Sequence, residues 1–230
     1  MAAPFEARMR DFGRRLRSRV RQLSGDREEA AVIWAWSIHG WSTKNELRLL
    51  YRSAREAGGP GDIAEIGSWK GRTAIILARA LRDAGAAARV WAIDHHMGSG
   101  EERHARVLVA EGSTEAAFRA NVGAAGIADR VEPLVMSSGE AAAELARRRR
   151  RLRMIFIDGA HEEESVRHDI RAFLPLLRPG GLVALHDCED EDAGFPGVWQ
   201  AYRAELQSRS EVVGRVDSLL IARVGEAPVV

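Results

Sequence analysis

The chain has 230 residues, which is enough to bury one full α/β core and still leave an N-terminal extension. Its 34 basic and 33 acidic residues give a formal net charge of +1, so no overall field favours nucleic acid or a membrane surface. The one cysteine, Cys188, excludes an intramolecular disulfide framework and fits a reducing compartment. No apolar run has the length of a membrane span and no secretory signal is evident, so we expect a cytoplasmic protein.

Residues 1–45 are expected to form a helical extension ahead of a main domain at 46–230. Apolar residues recur every three to four positions over residues 1–30, which predicts a helix with one apolar stripe. The stripe would pack on the main domain or on a second subunit, so a homodimer through this helix stays open. The arginines at 14–21 leave a nucleic-acid arm as an alternative, but such basic faces are usually only solvated.

Tryptophans are concentrated just before the main domain. Trp34, Trp36 and Trp41 lie within eight residues, and rings of this size usually form core or a pocket lid. A helix is then expected over residues 46–57, because apolar residues recur there at helical spacing. The Gly-Gly-Pro-Gly sequence at 58–61 is a strong signal for its end.

From residue 62 onwards the pattern alternates between strand and helix, which predicts an α/β fold with a parallel sheet. Two extended runs near the C-terminus, joined by Asp217 and Ser218, predict an antiparallel hairpin. The remaining elements fall into five strands and four helices. The strands are expected at about 62–66, 89–94, 131–136, 153–158 and 181–186, and the helices at about 72–84, 114–125, 139–150 and 163–176.

One segment, Glu65–Thr73, combines a strand end, a tight turn and a helix start. Glycines at 67 and 71 allow positive φ or close approach of a ligand, and the N–H groups of a helix start favour a carboxylate or phosphate. The spacing is Glu-x-Gly-x-x-x-Gly, which differs from the Gly-x-Gly-x-x-Gly of dinucleotide-binding proteins. The segment therefore predicts a ligand-binding turn of another kind.

This segment resembles the first motif of class I S-adenosylmethionine-dependent methyltransferases, and it is closest to their small O-methyltransferase-like branch. The resemblance implies a Rossmann-like fold with a mainly parallel seven-stranded sheet, a C-terminal antiparallel hairpin and N-terminal helices. It also implies that the turn wraps the methionine part of the cofactor and that Thr73 bonds its carboxylate. The cofactor-binding residues implied here are Glu65, Gly67, Ser68, Trp69, Gly71 and Thr73.

The ends of the next two strands supply further cofactor candidates. A carboxylate at Asp94 can accept both ribose hydroxyls, a role that fits S-adenosylmethionine and NAD equally. His95 follows it and opens a polar loop at 95–102 that could hold substrate. A metal site at His95 and His96 is disfavoured, because adjacent side chains usually point apart. Ser137 and Ser138 open a helix as N-cap residues, and the resemblance places them beside the adenine ring.

The segments 156–161 and 185–188 resemble the Ile-Asp-Gly-x-His and His-Asp motifs of the same branch, whose members act largely on small-molecule hydroxyls. In related catechol-type enzymes the two strand-end aspartates, here Asp158 and Asp187, bind a divalent metal such as Mg²⁺ that acidifies the acceptor. The third metal position is Cys188 here, which does not suit a hard ion. His161 stands where the family base stands. Asp158 is also a cofactor candidate, and His186 is either catalytic or a satisfied buried histidine.

The sequence thus predicts transfer of a methyl group from S-adenosylmethionine to a hydroxyl of a small molecule, in a natural-product pathway. Magnesium stays open, and no nucleic acid or membrane partner is expected. An NAD-dependent oxidoreductase is disfavoured because both Gly-x-Gly-x-x-Gly and a Tyr-x-x-x-Lys pair are absent. An N-methyltransferase, or a cofactor-binding protein without transfer activity, remains an alternative.

Overall fold

The computed structural model describes residues 25–98, 102–190 and 194–225. The apolar stripe between residues 5 and 23, and with it the expected dimer helix, lies outside these ranges. The helices are α1 (Arg27–Trp36), α2 (Lys44–Glu56), α3 (Arg72–Asp83), α4 (Glu102–Glu111), α5 (Glu115–Ala124), α6 (Ser138–Arg147), α7 (Glu163–Phe173) and α8 (Pro196–Glu205). The strands are β1 (Asp62–Ile66), β2 (Val90–Ile93), β3 (Val131–Leu134), β4 (Leu152–Ile157), β5 (Leu177–Leu185), β6 (Ser210–Val216) and β7 (Leu219–Val224).

The strands form one seven-stranded sheet in the order β3-β2-β1-β4-β5-β7-β6. β1 to β5 run parallel, whereas β7 pairs antiparallel with both β5 and β6. The alternating pattern and the C-terminal hairpin are therefore confirmed, and with them the fold class. Within the described residues, no helix has the length and apolarity needed to cross a membrane.

The sheet lies between two layers of helices, because successive side chains of each strand point to opposite faces. Ile63 of β1 faces α1, α2, α3 and α5, whereas its neighbour Ala64 faces α6, α7 and α8. Strands buried on both faces explain the continuous apolar runs in the sequence. Trp34 lies in the first of these two cores, whereas Trp36 is exposed and Trp41 is 36% exposed.

Two helix starts that matter for the site are fixed by capping boxes. Thr43 caps α2 by accepting from the N–H of Glu46, whose carboxylate accepts the N–H of Thr43 in return. Ser137 and Glu140 repeat this arrangement at the start of α6. Each box satisfies two backbone donors that a helix start would otherwise leave unpaired, and each one also fixes a side chain near the strand ends.

The strand register brings the carboxyl ends of the central strands together. Ile66 of β1 lies opposite Ile93 of β2 and Ile157 of β4, and Ile157 lies opposite Leu185 of β5. The loops that follow these four residues therefore start at one level of the sheet, where ligands bind in open α/β folds. The polar loop expected up to residue 102 is followed there by α4, a helix that the sequence pattern did not predict.

Candidate active site

A cleft of about 530 Å³ lies at the carboxyl ends of β1, β2, β3, β4 and β5. This volume falls in the range of ordinary ligand pockets, about 300–1,000 Å³. Of the candidate residues, the cleft is lined by Gly67, Trp69, Asp94, His95, Ser137, Ser138, Asp158, His161 and Asp187. Five others do not line it: Glu65, Ser68, Gly71, Thr73 and His186.

The turn after β1 depends on two glycines with left-handed backbone. Gly67 has φ of 86°, and a Cβ there would overlap the carbonyl oxygen of Asp158. Gly71 has φ of 87° and precedes α3, where a Cβ would meet the ring of Phe118. Because larger residues are strained at such φ and lack space here, the turn places bare backbone against the cleft. The β1 and β4 loops also touch each other at Gly67.

Asp94 joins the loops that follow β1 and β2. Its Oδ2 accepts the N–H of Trp69 at 2.7 Å, and its Oδ1 accepts the N–H of His96 at 2.7 Å. A carboxylate oxygen has a second lone pair, so both atoms keep acceptor capacity. His95 is exposed at the cleft, whereas His96 is buried, with Nδ1 2.9 Å from the hydroxyl oxygen of Thr114. These two histidines therefore do not share a metal site.

Glu65 is a fully buried carboxyl group behind the glycine turn. Burial raises its pKa to about 8, and the charges of Asp158 and Asp94 add to this rise, while the Thr73 hydroxyl opposes it. Neither carboxylate oxygen has a fully formed hydrogen bond among the described residues. The Ser68 hydroxyl is also buried, and it too has no hydrogen-bond partner among the described residues. The turn is thus backed by polar groups whose bonding capacity is incompletely used.

Aromatic rings form one wall of the cleft. The ring centroid of His104, on α4, is 4.7 Å from those of both Trp41 and Trp69. The Trp69 indole N–H also lies 3.2 Å from Nδ1 of His39. The sequence left open whether Trp41 is core or lid, and it gave no role to His104 because no helix was assigned to the segment that forms α4. The available signal was the apolar run at residues 107–109, which follows His104 by one helical turn, and the structure buries this histidine (7% exposed).

The opposite wall carries the imidazole expected to act as a base. Nε2 of His161 is 3.0 Å from Oδ2 of Asp187, and its ring stacks on Phe195 with the centroids 4.1 Å apart. Burial works to raise the pKa of Asp187, but His161 and His186 lower it well below its usual range. Asp187 also has φ of 55°, so its carboxylate is presented from a strained backbone.

Behind this wall lies a buried ion pair that the sequence did not reveal. Nε2 of His186 is 3.2 Å from Oε2 of Glu46, while its Nδ1 is 3.1 Å from Asp158 and 3.2 Å from Asp187. Burial works to lower the pKa of His186, but the three carboxylates raise it well above its ordinary value. The three carboxylates therefore favour the protonated form of His186, which lies behind the strand-end aspartates.

Three of the residues at this end could hold a metal ion. One donor atom from each of Asp158, His161 and Asp187 lies within 4.8 Å of the other two. Cys188 does not belong to the set, because its side chain is buried on the side of β5 that packs against α8, and burial raises its pKa to about 12. Among the described residues, the third potential donor beside the two aspartates is therefore His161 and not the residue after Asp187.

Two family models match the chain. A model described as a methyltransferase domain matches residues 64–188, and one described as macrocin-O-methyltransferase matches residues 6–120. Both ranges contain the glycine turn, and the first also contains every strand end of the cleft. A curated but uncharacterized protein of Sinorhizobium fredii, y4gI, is 42% identical over 53 residues, which are 23% of this chain and 6% of that protein.

Solved structures have the same fold. The O-methyltransferase NovP matches with a TM-score of 0.61 and 20% identity, over 80% of this chain and 81% of NovP. TomG, an O-methyltransferase from Streptomyces achromogenes involved in tomaymycin synthesis and solved with S-adenosylmethionine, matches with a TM-score of 0.58 and 22% identity. That match covers 80% of this chain and 82% of TomG. At these identities the likeness concerns the fold.

Proposed function

Since the chain belongs to the methyltransferase-domain family, whose model covers residues 64–188, we propose that it methylates a hydroxyl group of a small molecule with S-adenosylmethionine as donor. The observation that carries the proposal is one cleft lined both by the glycine turn and by the His161–Asp187 pair. The match to the macrocin-O-methyltransferase model supports an acceptor from a natural-product pathway.

The cofactor would lie along the β1, β2 and β3 ends. The turn from Gly67 to Gly71 offers backbone close to the methionine part, and Asp94 keeps acceptor capacity for the ribose hydroxyls. When bound, the cofactor supplies an electrophilic methyl group on a sulfonium. The protein therefore has to align an oxygen behind that methyl group and remove its proton.

His161 is the residue proposed to remove this proton. Oδ2 of Asp187 lies 3.0 Å from Nε2 of His161, so this carboxylate would favour the imidazolium that forms when His161 takes the hydroxyl proton. The oxygen–carbon bond forms while the sulfur–carbon bond breaks, and the sulfonium becomes a neutral thioether. The imidazolium that results is stabilised by Asp187, and it returns its proton to water after product release.

A divalent metal is a second candidate for activating the acceptor, and the donor set supports it. Asp158, His161 and Asp187 would hold the ion. Two carboxylates and one imidazole suit Mn²⁺ or Zn²⁺ better than Mg²⁺, which prefers oxygen ligands. Such an ion would lower the pKa of the acceptor hydroxyl and orient it. Because His161 would then be a ligand, the metal and the imidazole base are alternatives.

The first test is calorimetric titration of the purified protein with S-adenosylhomocysteine after chelator treatment, with and without Mn²⁺, Zn²⁺ or Mg²⁺. Micromolar binding is expected in all conditions. Methyl transfer to a panel of small hydroxyl and amino compounds then separates O- from N-methylation. Turnover that survives the chelator supports His161 as the base, whereas turnover that returns only with a metal supports the second candidate. Absence of cofactor binding would contradict the methyltransferase function itself.

A further inference from the structure

A buried carboxylate on α7 lies in the cleft and has no part in the functions proposed above. Asp169 lines the cleft, yet its side chain is 6% exposed. Its Oδ2 would be 3.9 Å from a Cβ built on Gly159, so the carboxylate lies next to the loop that follows β4. The Ser138 hydroxyl at the start of α6 is close enough to lower the pKa of this carboxyl group. The group therefore lies between α6 and the β4 loop.

The surroundings of Asp169 compensate its charge only partly. Burial raises its pKa, and the groups that oppose the rise are the hydroxyl of Ser138 and the imidazole charge of His168 rather than a guanidinium. A buried carboxylate with one neutral donor has acceptor capacity left over. Such a group is costly unless a partner satisfies it. The place of Asp169 in a ligand cleft makes a ligand donor the natural partner.

On the basis of the proposed use of S-adenosylmethionine, we propose that Asp169 accepts a hydrogen bond from the exocyclic amino group of the cofactor's adenine. Ser138 acts as a positioning residue that fixes the carboxylate. Gly159, which has no side chain to cover the carboxylate, lies next to Asp169, and both residues line the cleft. Adenine carries its amino group on one edge of the ring, so a single acceptor at this depth distinguishes it from purines that carry oxygen there.

The energetic consequence is a strong preference for an amino group over a carbonyl. A carboxylate facing a carbonyl oxygen loses its hydrogen bond and leaves two acceptors opposed, which sites of this kind reject strongly. We expect the wild-type protein to bind S-adenosylhomocysteine at least about 30-fold more tightly than S-inosylhomocysteine, in which oxygen replaces the amino group. Equal affinities would overturn the inference without affecting the proposed function.

The variant Asp169→Asn assigns this preference to one residue. Its amide keeps the shape of the side chain and can turn a donor towards a carbonyl oxygen. We expect S-adenosylhomocysteine to bind about 10-fold more weakly and S-inosylhomocysteine about 10-fold more tightly, so that the ratio of the two affinities falls about 100-fold. Asp129→Asn, which removes an exposed aspartate just before the amino end of β3 and outside the cleft lining, is the charge-matched control.

Each outcome decides one part of the inference. An unchanged affinity ratio in a folded Asp169→Asn protein contradicts the role of Asp169, while binding of S-adenosylhomocysteine by the wild type keeps the proposed function. If Asp169→Asn does not fold, Ser138→Ala decides, because loss of the positioning hydroxyl should lower the ratio about 3- to 10-fold. A ratio within twofold of the wild type would then overturn the inference. If the wild-type protein does not bind S-adenosylhomocysteine, both the proposed function and the role of Asp169 are contradicted.

Discussion

The two halves of the cleft are built in different ways. The half proposed to hold the cofactor is organised by one continuous segment, Glu65–Thr73, which contributes Gly67 and Trp69 to the cleft lining. The acceptor half is assembled from side chains far apart in sequence, because Glu46 meets His186 across 140 positions. In the first half a few φ angles fix the geometry, whereas in the second it depends on the mutual satisfaction of buried charges.

Because of this difference, the two halves should tolerate different kinds of substitution. A wall made of backbone responds to steric change and little to a change of charge. A wall made of coupled charges responds to the loss of any one member, since each partner holds the next. Substitutions in the two halves should therefore separate cofactor binding from turnover.

The largest effect is expected from His161→Ala. Loss of a general base typically lowers turnover by about 10²- to 10⁴-fold, while the cofactor half remains intact. We expect kcat to fall by this amount and the Kd of S-adenosylhomocysteine to change less than twofold, as measured by steady-state kinetics and calorimetry. A fall in cofactor affinity of the same size would contradict the division of the cleft into two halves.

Glu65→Gln tests an ionisable group that is buried behind the proposed cofactor half, a carboxyl group that differs from the backbone wall around it. The pKa of Glu65 is raised to about 8 in the folded protein, so its contribution to stability is present below its ordinary pKa and is lost as pH rises through 8. The variant has no such group. Urea unfolding of the ligand-free proteins should therefore show the wild type losing stability relative to Glu65→Gln as pH rises from the ordinary glutamate pKa to about 8. The expected loss is up to about 1.4 kcal/mol per pH unit in this range.

The same substitution should weaken the binding of S-adenosylhomocysteine about 10-fold, because it replaces one carboxyl oxygen behind the proposed methionine site by an NH₂ group. A variant that is more stable at pH 9 yet binds more weakly would identify Glu65 as a group kept for function. The exposed Glu211→Gln serves as control and should change neither quantity. Parallel pH curves for wild type and Glu65→Gln would refute the assignment of the buried charge.

Gly67→Ala tests the steric rule directly. Its Cβ would overlap the Asp158 carbonyl oxygen at positive φ, so we expect a loss of at least about 2 kcal/mol in the free energy of unfolding. Gly85→Ala is the matched control, since Gly85 has φ of 66° and nothing lies within 4 Å of its built Cβ. That variant should lose about 1 kcal/mol from strain alone. Equal losses would show that the loops after β1 and β4 can move apart enough to accommodate the added methyl group.

The smallest effect is expected from Glu46→Gln. Glutamine has a single acceptor oxygen, so it can keep the bonds from Ser218 or the capping bond from Thr43 but not both, and it removes the charge that faces His186. The strand-end carboxylates should then be held less firmly, and we expect kcat to fall about 3- to 10-fold with unchanged cofactor affinity. An effect confined to cofactor affinity would contradict the assignment of Glu46 to the acceptor half.

The sequence was informative about the backbone and less so about the meeting of side chains. The turn glycines, the N-cap serine at Ser137 and the C-terminal hairpin follow local rules, and the structure has them where the sequence predicts them. The Glu46–His186 pair obeys no local rule, since it depends on how α2 and β5 pack. Asp169 was missed for the same reason, because a polar residue in an amphipathic helix gives no sign that it is buried.

The tight connection between β6 and β7 does not line the cleft, yet it is hydrogen-bonded to the charged cluster behind it. The N–H and hydroxyl of Ser218 donate to Oε1 of Glu46 at 3.0 and 2.8 Å, and its carbonyl accepts the N–H of Cys188. Hairpin tips are ordinarily good places to open or extend a chain. Here a circular permutation or a domain insertion at this tip would release Glu46, and through it His186, so fusion partners are better attached elsewhere.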